Sequence, residues 1–216
     1  MFRNRTEAGQ KLASKLQAYS SQPDVLVLAL PRGGVPVGYE VARALHAPVD
    51  VFVVRKIGVP WNPELAMGAV ATGGVRVIEE ETVRTLAIPG EEIAEAAARE
   101  ERELERRERA YRGGRIPFPI AGRKVILVDD GIATGSTMRA GVAALRRLQP
   151  ARIVIAVPVA PRATCAMLRK VADEVVCPIE AEDFFAIGEW YEDFSQLTDE
   201  DVQNLLGNAS GLISAA

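Results

Sequence analysis

Histidine is almost missing from this chain: His46 stands alone, which excludes a His-rich zinc site and, with no serine motif near it, a Ser-His-Asp triad. It reads as a residue at a helix C-terminus. Cysteine is scarce as well. Cys165 and Cys177 fall in a predicted helix and a predicted strand without CxxC spacing, so they read as buried thiols and not as a disulfide or a metal site. Long apolar runs are lacking: no window approaches the roughly 18 consecutive apolar residues of a membrane helix. The first residues (Phe2, Leu12, Leu16, Tyr19) form an amphipathic pattern without the uninterrupted apolar stretch of a signal peptide. These absences predict a cytoplasmic protein with no membrane contact. Excess charge of one sign is absent too, with 26 basic and 29 acidic residues and a net charge of -3. No global field favours nucleic acid, and neither a basic face nor a helix-turn-helix pattern is present. Any anion binding has to be local.

What the chain does have is apolar content sufficient for a full core: 48% of its 216 residues are hydrophobic, and its mean hydropathy is +0.05. Short β-branched runs at 25–28, 49–54, 125–128, 153–157 and 175–176 alternate with helical patterns at 35–45, 137–148 and 162–171. This alternation predicts an α/β fold, a mostly parallel sheet with helices on both faces. In such sheets ligands bind beyond the carboxyl ends of the strands. One domain over 1–216 is expected, carrying a helical insertion over 75–115 and a C-terminal flap or hood over 178–216. Residues 75–78 read as a strand or extended segment. The helix predicted over 91–112 is rich in Glu/Arg pairs at i,i+4 and poor in apolar residues (Ile93, Leu104, Tyr111), which suits either a solvated helix or an arm moving over a site. The flap is aromatic and acidic (Phe184, Phe185, Trp190, Tyr191, Phe194) and ends in a helix predicted over 198–206, with Thr198 and Asp201 in capping-box order.

The segment that carries chemistry begins at Val125. Four apolar residues lead to Asp129 and Asp130, then to the small-residue loop Gly131, Ile132, Ala133, Thr134, Gly135, Ser136 and Thr137, which opens a helix. Small residues leave backbone N–H groups exposed, and the first helical turn adds unpaired donors and the positive end of its dipole, a cradle for a phosphate dianion. Thr134, Ser136 and Thr137 can add hydroxyl donors. Two carboxylates beside such a cradle would repel phosphate, so they suit ribose hydroxyls. A Walker A loop would need a lysine after Gly135, a dinucleotide fingerprint would need GxGxxG, and an aspartyl phosphatase would need DxD; this segment has none of them. At the end of the first strand stand Pro31, Arg32, Gly33 and Gly34, either a tight turn or a ligand loop. Arg55 and Lys56 end the strand predicted over 49–54, where two cations can neutralise a departing anion or simply face solvent.

The segment from Val125 to Thr137 resembles the phosphoribosyl pyrophosphate (PRPP) signature of type I phosphoribosyltransferases, and the chain looks like the stand-alone group of that family. The resemblance covers about residues 25–160. It implies that Asp129 and Asp130 contact the ribose 2- and 3-hydroxyls and that Ile132, Ala133, Thr134, Gly135, Ser136 and Thr137 wrap the 5-phosphate. It further implies that Arg32, Gly33 and Gly34 form the pyrophosphate loop, and that residues 61–68 lie where the family has its mobile catalytic loop. Arg32, Lys56, Asp129 and Asp130 are the implied catalytic residues, and Arg55 joins the substrate-binding set. Trp61 suits stacking on a base or packing in the core, Glu64 a proton acceptor or a turn carboxylate, and Arg162 a phosphate contact or a helix start. Mg2+ is the implied cofactor, reached by the two aspartates through water without direct ligation. The partners implied are PRPP and a small nitrogenous acceptor, and a homo-oligomer is left open. Ala133 departs from the hypoxanthine-guanine branch, which has an aspartate there, and this weighs against a 6-oxopurine acceptor. The alternative within the same fold is a regulatory protein that senses PRPP or a nucleotide without catalysis.

Overall fold

The computed structural model describes residues 1–213. Its centre is a five-stranded parallel sheet of β1 (Val25–Ala29), β2 (Val49–Val51), β6 (Lys124–Val128), β7 (Arg152–Ala156) and β9 (Glu174–Val176), in the order β2-β1-β6-β7-β9. Between β2 and β6 the chain builds a second, antiparallel sheet from β3 (Val54–Val59), β4 (Asn62–Ala71) and β5 (Val75–Ile78). A parallel pair, β8 (Val159–Pro161) with β10 (Ile179–Ala181), continues beyond the central strands. The helices are α1 (Arg5–Ala13), α2 (Gly34–Leu45), α3 (Glu80–Thr85), α4 (Gly90–Arg112), α5 (Ser136–Arg147), α6 (Arg162–Leu168) and α7 (Asp199–Ile213).

Side chains that alternate along a strand face opposite sides of a sheet, and both sides here are apolar. Leu26, Leu28, Val125, Leu127, Ile153 and Ile155 meet Met138, Val142 and Leu145 of α5. Val25, Val27, Ile126, Val128 and Val154 meet Leu12 of α1 and Val37, Val41 and Leu45 of α2. The helices therefore cover both faces, as the strand and helix alternation predicts. His46 is the C-cap of α2, in the left-handed region at φ 54.

Three expectations are corrected. The apolar run 49–54 is two strands: Phe52 still donates its N–H to the Ala29 carbonyl, but Val53 turns to Thr72, whose Oγ1 accepts its N–H at 2.8 Å, and the chain passes into the second sheet. Arg55 and Lys56 consequently sit inside β3 and not at the end of a central strand. Residues 62–71, expected to include a loop, are β4, paired antiparallel with β3 through an irregular register at 57–59. The ends of α6 and α7 also differ, α6 stopping at Leu168 and α7 running to Ile213. Residues 214–216 of the expected flap lie outside the described residues.

The charged helix α4 has a narrow apolar side. Ala96, Ala97, Leu104 and Tyr111 are buried with Ile57, Met67 and Val70 of the second sheet and with Val202 and Leu206 of α7. Its outer side carries the pairs Arg106–Glu103, Arg107–Glu103 and Arg109–Glu105. At its C-terminus Arg112 turns inward, where Nε lies 3.1 Å from both oxygens of the buried Asp50 and an NH2 proton goes to the Val51 carbonyl at 3.0 Å. Burial pushes the Asp50 carboxyl up, and Arg112 opposes that shift. This buried pair fastens α4 to the sheet edge.

Candidate functional site

The acidic and glycine motifs, about a hundred residues apart in sequence, meet because β1 and β6 are neighbours. Gly33 and Gly34 start α2 directly against the acid pair. A Cβ on Gly33 would stand 2.1 Å from Asp130 Oδ2, and one on Gly34 would stand 2.7 Å from the Val128 carbonyl. Only glycine lets the two strand ends approach this closely. The peptide between Pro31 and Arg32 is cis. The Gly34 amide is already spent on the Leu30 carbonyl at 3.0 Å, while among the described residues the Arg32 and Gly33 amides have no internal acceptor.

The small-residue loop has the same open character. Ile132 is the exception: it is buried and its N–H goes to the Val159 carbonyl at 3.1 Å, so it anchors the loop and offers no amide. Among the described residues the amides of Ala133, Thr134, Gly135 and Thr137 make no internal hydrogen bond, and that of Ser136 reaches only Thr134 Oγ1 at 3.5 Å. Gly135 sits at φ +75, and its position is backed by Thr164, whose Oγ1 donates to the Ala133 carbonyl at 2.8 Å. The N-terminal turn of α5 therefore presents a set of unpaired donors held in place from behind.

The two aspartates differ. Asp129 is half-buried and accepts the Asp130 amide on Oδ1 at 2.9 Å. Burial, then the neighbouring Asp130 charge, pushes its carboxyl well above the ordinary carboxylate range. Asp130 is buried, and Arg5 Nε on α1 donates to its Oδ2 at 2.7 Å. Burial also raises its pKa, with Arg5 acting in the opposite direction. Arg5 is fixed in turn by the Ser195 carbonyl at 2.9 Å and by the Phe194 ring, 3.9 Å from its guanidinium carbon. The Tyr191 hydroxyl donates to the Asp130 carbonyl at 2.5 Å.

The cations of the site are partly spoken for. Arg32 lies 2.9 Å from Asp199 at the start of α7 and donates to the Leu197 carbonyl at 2.9 Å. Arg55 Nε donates to Glu100 of α4 at 2.8 Å. Lys56 is exposed and, together with Glu64 and Ser136, lines a cavity of about 630 Å3 between the second sheet and α5. A second cavity, of about 360 Å3, brings Arg55, Lys56 and Thr137 together with Arg99 and Glu100 of α4. The structure thus forms two groupings, Arg32, Gly33, Gly34, Asp129 and Asp130 on one side and Arg55, Lys56, Ser136 and Thr137 on the other, joined by the loop 131–137. Trp61 is exposed outside both cavities, and Arg162 pairs with Glu182 at 2.8 Å. A further cavity, about 740 Å3 and walled by Leu104, Phe118 and Leu148, lies at the other end of α5 and contains none of these residues. A 12-residue helix places it about 18 Å from the loop.

Arg5, Tyr191, Asp199, Arg99 and Glu100 escaped sequence reasoning. Arg5 lies 125 positions from Asp130, and an arginine in an N-terminal helix carries no local signal of its partner. Tyr191 belongs to a visible aromatic run, but nothing in that run marks its hydroxyl.

The family model for the phosphoribosyl transferase domain matches residues 3–193. A curated protein of Mycobacterium tuberculosis, named "Putative phosphoribosyl transferase Rv0571c", is 42% identical over the whole of this chain; the chain spans about half, 50%, of the length of that relative. The "Bifunctional protein PyrR" of Listeria welshimeri is 36% identical over 126 residues, covering 54% of this chain and 67% of that protein. Among solved structures, the crystal structure of TT1426 from Thermus thermophilus is 42% identical, covers 95% of this chain and 97% of its own, and superposes with a TM-score of 0.86. The open amides at the start of α5, the acid pair at their base and the match along nearly the whole chain agree: the protein belongs to the phosphoribosyl transferase domain family.

Proposed function

We propose that this protein is an enzyme that binds PRPP with Mg2+ and transfers the phosphoribosyl group to a nitrogenous base or amine, releasing pyrophosphate. The observation that carries the reading is the row of open amides at Ala133, Thr134, Gly135 and Thr137, without internal partners among the described residues, beside an acid pair pressed against Gly33 and Gly34. The 5-phosphate takes the amides of Ala133, Thr134, Gly135 and Thr137 and the hydroxyls of Thr134, Ser136 and Thr137. The ribose hydroxyls donate to Asp129 and Asp130, whose raised proton affinity a set of donors relieves. The pyrophosphate meets the Arg32 and Gly33 amides, with Arg32, Arg55 and Lys56 supplying positive charge. In the reaction the C1–O bond to pyrophosphate breaks, a C1–N bond forms, and the acceptor nitrogen loses its proton to solvent. The protein contributes positioning and charge in place of a covalent nucleophile.

The donor set suits Mg2+: Asp129 and Asp130 are two adjacent carboxylates beside open amides, and Mg2+ characteristically keeps several waters and binds through one or two carboxylates plus substrate phosphates. Asp129 and Asp130 would hold it through water, and when bound with PRPP it neutralises charge on the pyrophosphate oxygens. We place residues 75–115 as a helical insertion and 178–216 as a flap on one domain. The substrates in this reading are small molecules handled in the cytoplasm, without nucleic acid; no helix of the described residues is long and apolar enough to cross a membrane.

The test is PRPP-dependent pyrophosphate release across a panel of bases and amines, with Asp129→Asn plus Asp130→Asn as the control. Release with one acceptor class, lost in the double variant, is expected. Tight PRPP binding with no release for any acceptor would select the sensing alternative. The existing pairing of Arg32 and Arg55 with Asp199 and Glu100 favours that second reading. No PRPP binding at all would remove the enzyme and the PRPP sensor, and leave only a nucleotide sensor.

A further inference from the structure

Helix α4 lies outside every segment that carries the phosphoribosyltransferase motif, yet it forms a wall of the 360 Å3 cavity that Thr137 enters from the phosphate loop. Four charged side chains line that cavity: Arg55 and Lys56 from β3, Arg99 and Glu100 from α4. One carboxylate faces three cations, and it is taken by Arg55, from which it accepts Nε at 2.8 Å. Lys56 and Arg99 are exposed, and their side chains make no hydrogen bond or ion pair among the described residues. Toward the C-terminal end of α4, Arg106, Arg107, Arg109 and Arg112 each pair with a glutamate one turn earlier, while Arg102, like Arg99, makes no such pair among the described residues. Arg55 reaches α4, and Lys56, the next residue of β3, lines both this cavity and the one along α5. Three cations converging on a concave space with one counter-ion repel one another, and an incoming anion removes that cost.

We infer that α4 completes the anion site: Arg99 supplies a third cation for a diphosphate group, and Glu100 is the resident counter-ion of Arg55 that the diphosphate displaces. Arginine suits this task because its planar fork donates two parallel bonds to phosphate oxygens. Thr137 stands at the junction, so a ligand whose monophosphate lies on the loop can extend its diphosphate toward α4. The inference rests on the PRPP reading for the identity of the ligand, but not for the existence of the subsite. A diphosphate reaches it from PRPP, from free pyrophosphate or from a nucleotide.

The experiment is isothermal titration calorimetry of the full chain, in Mg2+ buffer, with PRPP, inorganic pyrophosphate, ATP and ribose 5-phosphate. Wild type is compared with Arg99→Ala, Arg99→Lys, Glu100→Gln and Glu101→Gln. Arg99→Ala is expected to weaken PRPP and pyrophosphate about tenfold, the size of one charged hydrogen-bond contact, and to leave ribose 5-phosphate within about twofold. Arg99→Lys recovers most of the loss. Glu100→Gln, by removing the competitor, strengthens pyrophosphate several-fold. Glu101→Gln is the control for general surface charge: Glu101 is the neighbouring acid, paired with Arg76 at 2.7 Å and turned to a different cavity, and its loss leaves affinities unchanged. Unaltered diphosphate affinity in Arg99→Ala, or a matching loss for ribose 5-phosphate, overturns the inference. So does a Glu101→Gln effect equal to that of Glu100→Gln, or a wild type that binds no diphosphate. Binding of pyrophosphate or ATP but not PRPP, with the Arg99 effect intact, supports the subsite while removing the PRPP function.

Discussion

Replacing Asp129 by asparagine should strengthen the fold while weakening the ligand site. The Asp129 carboxyl is raised well above its ordinary value by burial and by the Asp130 charge, so the folded state holds its proton more tightly than the unfolded chain does. Ionisation then costs stability. The cost is absent below the ordinary carboxylate range, grows as pH climbs from there, and levels off once the folded-state pKa is passed. Each unit of that difference corresponds to about 1.4 kcal/mol. Asparagine removes the charge but keeps an Oδ1 that can accept the Asp130 amide. Relief of a site charge of this kind is worth about 1 kcal/mol, a rise in melting temperature of about 2–4 °C for a chain of this length. Differential scanning calorimetry across the acid-to-neutral range, with parallel PRPP titrations, reads both effects. The stabilisation should fade toward acid pH and be full near neutrality, and PRPP affinity should fall at least tenfold, the loss of one charged hydrogen bond. A variant less stable than wild type at neutral pH, or equally stabilised at both ends of the range, would refute the reasoning.

Two further outcomes follow from the contacts behind the loop. Gly135→Ala forces a Cβ into the left-handed region and to 2.9 Å from Thr164 Cγ2. It should destabilise by about 2 kcal/mol and weaken PRPP by calorimetric titration; a melting temperature unchanged from wild type contradicts this. Arg5→Ala strips the partner from Asp130, where both side chains are about a tenth exposed (11% and 9%). The loss expected in urea unfolding is about 3–5 kcal/mol, recovered in part when Asp130→Asn is added; a loss under about 1 kcal/mol means that the pair is not a buried one.

The parts of the fold and site legible in the chain are those whose cause is local. A buried strand declares itself by an apolar run, and a helix by its spacing. The loop proposed to hold phosphate is a stretch of consecutive residues, within Val125 to Thr137, in which small side chains expose the backbone wherever that backbone goes. The apolar run 49–54 shows the limit. One strand and two strands look alike in composition, and the difference lay in which carbonyls and hydroxyls the amides of Phe52 and Val53 would find, Ala29 for one and Thr72 for the other. Residues 62–71 carry Pro63 and no clear alternation at their start, and pairing with β3 made them a strand.

From the sequence alone came the α/β class and the run of two acids followed by small residues at 129–137, because each depends on neighbours along the chain. The tertiary structure alone decided which charges those groups face. Arg5 reaches Asp130 across 125 positions, Asp199 reaches Arg32, and α4 brings Glu100 and Arg99 to Arg55. A charge acts through space over a few ångströms, and distance along the chain says nothing about which charges folding will place that close.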